Sequence, residues 1–147
     1  MLKNIFISIF FLLTTTLAQV KVVTTTTVIY DLVKNVGGDK VLVDYLSRGD
    51  QDVHFLEILP SYMTKLRNAD ILFQIGLQLE MWAPQIIDGS RNSDLRIVYL
   101  SDEISPKEIP TTKVDASMGD VHPNGNPHYW LDPNNAKIMA NEIYNEL

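Results

Sequence analysis

The 147-residue chain contains no cysteine. That absence excludes disulfides, thiolate zinc sites, iron–sulfur clusters, cysteine nucleophiles and lipid attachment through cysteine. Any metal site must therefore be built from histidine and carboxylates. Positive charge is also scarce, with 12 Lys+Arg against 18 Asp+Glu and a formal net charge of −6. A protein that tracks phosphates needs clustered Lys and Arg, and no such run is present, which argues against a nucleic-acid partner. Glycine and proline number seven each, too few for a collagen-like or low-complexity chain. The remaining composition, 46% hydrophobic, suits a globular protein, and the length suits about one domain at ~100–200 residues each.

Long apolar runs are missing as well, apart from the start of the chain. Met1-Leu2-Lys3-Asn4 gives a short positive start, Ile5 to Leu13 is almost unbroken hydrocarbon, and Thr16-Leu17-Ala18 places small residues around a cleavage position. This is the pattern of an export signal over residues 1–18. A spanning helix needs ~20 apolar residues, and this run stops at Thr14-Thr15-Thr16. The expected mature protein starts at Gln19, spans no membrane and resides outside the cytoplasm.

Residues 19–147 alternate between strand and helix patterns. Val20 to Val23 is a β-branched run, and Val28, Ile29, Leu32, Val33 and Val36 follow at helical spacing until Gly37-Gly38. Val41 to Leu46 predicts a second strand, and Leu59, Tyr62, Met63 and Leu66 a second helix with Pro60 in its first turn. Ile71 to Ile75 predicts a third strand, Leu79 to Ile87 a third helix and Arg96 to Leu100 a fourth strand. Continuous apolar strands separated by helices indicate an α/β fold, a four-stranded parallel sheet flanked by helices. From Ser101 to Leu131 the pattern breaks into a long loop, the kind of excursion that carries function. Asp132-Pro133 then opens a last helix with Ala136, Met139, Ala140, Ile143 and Leu147 on one face. An apolar helix face with no glycine cap after it points to a longer parent protein.

All three histidines, His54, His122 and His128, fall in predicted loops. His54 follows the second strand, and ligands of parallel sheets gather beyond the carboxyl ends of strands. His128 sits in Asn126-Pro127-His128-Tyr129-Trp130-Leu131-Asp132-Pro133, where prolines and aromatics restrict the ring. Neutral imidazole is a zinc ligand, and rigid surroundings strengthen it. Asp132 reads as a helix cap, Glu57 as a solvated charge, and Trp82 and Tyr129-Trp130 as packing aromatics. Asp102, Glu103, Glu108 and Asp115 read as a solvated acidic face.

The segments Gly49 to Glu57, Pro60 to Asp70 and Gly119 to Pro133 resemble the zinc/manganese-binding proteins of ABC metal importers, over essentially all of residues 20 to 147. The His-Tyr-Trp-Leu-Asp-Pro element at residues 128–133 is the most specific part. The resemblance implies the N-terminal lobe of a two-lobed periplasmic protein that holds an ion in a cleft and delivers it to a membrane permease. It makes His54 the first ligand and His128 the second, and assigns the remaining ligands to a second lobe that this chain lacks. His122, six residues before His128, reads either as an auxiliary or capturing ligand or as a solvated loop residue. Asp52-Val53-His54 departs from the family, which more often has proline directly before this histidine. The implied cargo is Zn²⁺, with Mn²⁺ as the alternative. Nitrogen donors favour zinc, and added carboxylates shift a site toward manganese. A second reading remains: a secreted zinc-dependent hydrolase with His54, His122 and His128 on the metal and Glu57 as base.

Overall fold

The computed structural model describes residues 18–147. The expected export signal therefore lies outside the described residues, except for Ala18. Among the described residues, no helix is long and apolar enough to cross a membrane.

Four parallel strands form one sheet: β1 (Val20–Thr24), β2 (Val41–Tyr45), β3 (Ile71–Gln74) and β4 (Arg96–Tyr99), in the order β2-β1-β3-β4. Helices α1 (Thr27–Gly37), α2 (Pro60–Arg67), α3 (Ala83–Ser90) and α4 (Pro133–Glu146) cover it. Side chains alternate along each strand. Val22, Ile71 and Phe73 pack with Ile29 and Val33 of α1 and Met139 and Ile143 of α4. Val23 and Leu72 face the other way, onto Tyr62 and Leu66 of α2 and Ala83 and Ile86 of α3. Both faces of the inner strands are thus buried over Val22–Thr24 and Ile71–Gln74, which explains why these stretches are mostly apolar.

Two expectations need correction. The third helix starts at Ala83, not Leu79, because the Glu80 side chain reaches back to accept the Ile75 and Gly76 N–H groups across a turn in which Gly76, Leu77 and Gln78 have positive φ (86°, 52° and 66°). Leu79 is nonetheless fully buried, so its hydrophobicity served a turn. Strand β4 is an edge strand whose Arg96, Ile97 and Tyr99 are exposed, rather than one covered on both faces.

The chain runs from β1 to β2 on one side, then crosses back to β3 on the other side of β1. That reversal opens a crevice at the carboxyl ends of β1 and β3, the usual ligand position in such sheets. The excursion between β4 and α4 folds over this end, anchored where the Tyr129 hydroxyl donates to the Ile75 carbonyl at 2.7 Å.

Candidate metal centre

The first histidine stands in a single 3-10 turn, Val53–Phe55, in the connection from β2 to α2. Asp52 caps that turn: its Oδ1 accepts the His54 backbone N–H at 2.9 Å and lies 2.8 Å from the ring Nδ1. An ionised carboxylate only accepts, so Nδ1 carries a proton and the neutral ring presents its lone pair on Nε2. These bonds hold the Asp52 carboxyl below its ordinary range, with the backbone N–H of His54 the largest cause. The Trp82 indole fixes the turn to the body of the protein by donating to the Val53 carbonyl at 2.7 Å.

The second histidine repeats the arrangement. Asn126 Oδ1 accepts the His128 backbone N–H at 2.9 Å and lies 3.0 Å from the ring Nδ1. The Asn126 amide nitrogen donates to Glu108 Oε2 at 2.7 Å, which sets the amide orientation and again places the ring proton on Nδ1. Glu108, expected as a plain solvated charge, thus supports the centre. Trp130 packs on the imidazole with ring centroids 5.1 Å apart. Burial is the main influence holding the His128 pKa below its ordinary value, helped by His54 and His122 and opposed by Asp120. The neutral, ligating form is therefore favoured.

The two rings meet at a centroid distance of 5.3 Å, and His122 lies equally far from His54. Asp120 sits among all three. Its Oδ1 is 2.9 Å from His54 Nε2 and 2.9 Å from His122 Nε2, and its Oδ2 is 3.9 Å from His128 Nε2. The His122 contact is a hydrogen bond. The His54 contact is close but not aligned as one, which leaves His54 Nε2 buried without a hydrogen-bond partner. His54, Asp120 and His128 each offer a ligand atom within 4.8 Å of the other two. Tetrahedral zinc with bonds of ~2.0–2.1 Å separates its donors by ~3.3 Å, a value that the 2.9 and 3.9 Å spacings bracket. His54 and Asp120 border a cleft of about 910 Å³ lined also by Phe55, Met81 and Trp82.

Of the three histidines singled out in the sequence, His54 and His128 come together as ligand candidates, whereas His122 bonds to Asp120 beside them. Asp120 was not anticipated. The signal that could have found it is the recurrence of Asp or Asn two residues before each histidine, at Asp52, Asp120 and Asn126. Asp132 is a cap as expected, accepting the Asn134 N–H at 2.9 Å, and Trp82 and Tyr129 are buried packing residues. Glu57 is exposed and stands outside the ligand group.

The family described as zinc-uptake complex component A, periplasmic, matches residues 22–147. The iron-binding protein YfeA of Yersinia pestis is 27% identical over 135 residues, covering 87% of this chain and 38% of that protein. The manganese ABC transporter substrate-binding lipoprotein PsaA of Streptococcus pneumoniae is 28% identical over 139 residues, covering 91% of this chain and 43% of PsaA. Among solved structures, the Mn-bound periplasmic metal binding protein from Candidatus Liberibacter asiaticus superposes with a TM-score of 0.71 at 25% identity, over 85% of this chain and 43% of that one. The chain thus spans less than half the length of these relatives. The names of these relatives describe transport and metal binding, and nothing in them supports the hydrolase alternative.

Proposed function

This chain belongs to the zinc-uptake complex component A family, and on that premise we propose that it captures a divalent metal ion outside the cytoplasm for an ABC-type importer. One observation carries the reading. His54 and His128 come from distant loops, each with Nδ1 committed to an Asp or Asn oxygen, and each turns Nε2 toward the same point. Ligand rings oriented in this way by outer partners are the pattern of metal sites. No reaction is required of the site, since capturing and releasing an ion breaks no covalent bond.

Zn²⁺ is the favoured cargo and Mn²⁺ the alternative, because imidazole donors and the general affinity order both rank zinc higher. The partner is the membrane permease of the importer. Residues 1–18 direct export, and residues 19–147 form one metal-binding α/β unit corresponding to the N-terminal lobe of the family. His122 assists capture from beside the ligands. Calorimetric titration with zinc and manganese in parallel tests the reading, with saturable binding of one ion per chain expected. His54→Ala combined with His128→Ala should abolish it. Binding unchanged in that double variant would sink the proposal.

A further inference from the structure

We propose that Asp120 is a metal ligand in its own right, so that this α/β unit alone presents a His54–His128–Asp120 donor set. The inference rests on the metal-capture reading above and adds to it a residue from the excursion between β4 and α4. Three observations carry it.

The first is an opposition of lone pairs. Asp52 holds the His54 proton on Nδ1, so Nε2 faces Asp120 Oδ1 at 2.9 Å as acceptor against acceptor. A cation bound by both atoms relieves that contact, and Nε2 has no hydrogen-bond partner. The second is the bridging position of the carboxylate, with Oδ1 toward His54 and Oδ2 toward His128. The third is that Asp120 is held in place. His122 Nε2 donates to its Oδ1 at 2.9 Å, and the preceding Gly119 takes a φ of 69° that a residue with a side chain rarely adopts.

Two imidazoles and one carboxylate form a three-donor set that leaves positions open for water or further ligands. Such a set suits divalent ions of the manganese-to-zinc series. Magnesium and calcium prefer oxygen-only sites, and Cu(I) prefers sulfur. His122 is then the residue that orients Asp120 and lies outside the donor set.

Cobalt(II) is the probe, because its visible absorption reports donor type and number. Asp120→Asn should weaken Co(II) binding by at least about tenfold, the scale on which even outer partners act, and should change the spectrum. Asp120→Glu, which keeps a carboxylate, should recover part of both. Glu57→Gln, at an exposed residue outside the donor set, should leave the spectrum as in wild type. Circular dichroism melts establish that each variant is folded. If Asp120→Asn binds Co(II) within about twofold of wild type with an unchanged spectrum while His54→Ala binds none, Asp120 is no ligand and metal capture stands. A spectrum altered by His122→Gln but not by Asp120→Asn also overturns the assignment. If His54→Ala too leaves binding unchanged, it is the metal-capture reading that falls.

Discussion

Each histidine stands two residues after an Asp or Asn, in Asp52-Val53-His54, Asp120-Val121-His122 and Asn126-Pro127-His128. In the first and third, one side-chain oxygen bonds both the backbone N–H and the ring Nδ1 of its histidine, so a local turn sets ring direction and tautomer together. Outer partners of this kind typically change metal affinity 10–100-fold. Asp52→Ala and Asn126→Ala should each weaken zinc binding by about that factor in calorimetric titration, with the fold retained. Acid should weaken binding too. Protons compete for the same lone pairs, so zinc affinity should fall as the pH drops past 6.5, the ordinary histidine value. Burial lets His128 stay neutral below that value. Raising its pKa by opening the pocket, as in Trp130→Ala, should move the onset of the loss to higher pH in titrations across pH 5–8. His54 and His128 were legible in sequence as ligand candidates, but Asp120 was not, because convergence of residues 54, 120 and 128 is a product of tertiary folding.

Among the elements, the strands and the first two helices were readable from apolar runs and helical spacing, which burial on both sheet faces enforces most fully in β3. The start of α3 was not. The apolar positions from Leu79 to Ile87 fit a helix, yet the segment before Ala83 is a turn organised by a buried carboxylate. Glu80 accepts from the Thr25 hydroxyl at 2.6 Å, the Ile75 N–H at 2.7 Å and the Gly76 N–H at 3.0 Å, joining the carboxyl ends of β1 and β3. Glu80→Gln puts an amide donor against one of these donors and should destabilise the protein by about 1–3 kcal/mol in urea melts. Burial, the largest cause, pushes the Glu80 carboxyl above its ordinary value of 4.5, and its three hydrogen bonds offset only part of that. The unfolded chain therefore loses this proton first as pH rises. Glu80's contribution to stability should decline from about pH 4.5 up to its raised folded value and then level off. Comparing wild type with Glu80→Gln through that window isolates the effect, since the other titrating groups are shared. A stability difference that does not vary with pH there would contradict it.

For the whole molecule, the parallel α/β architecture follows from sequence pattern, whereas the path of the excursion between β4 and α4 does not, since it lacks periodicity and is positioned by side-chain bonds. Tyr129 pins its end to Ile75, and Asn126 pairs with both Glu108 and the Lys107 carbonyl. An ion shared by His54, Asp120 and His128 would add a cross-link between this excursion and the connection after β2. A ligand that binds only the closed arrangement stabilises it by about 2.7 kcal/mol at a hundredfold excess over its Kd, and cleavage of a locally opened segment follows the population of the open form. Lys113 lies exposed within the excursion and offers trypsin a site. Zinc should therefore slow cleavage after Lys113 by up to about 100-fold, read by mass spectrometry of timed digests. His54→Ala with the same zinc should show no such protection, which separates an effect on this chain from any effect on the protease. Equal cleavage rates with and without zinc in wild type would mean that the ion does not tie the excursion to the rest of the fold.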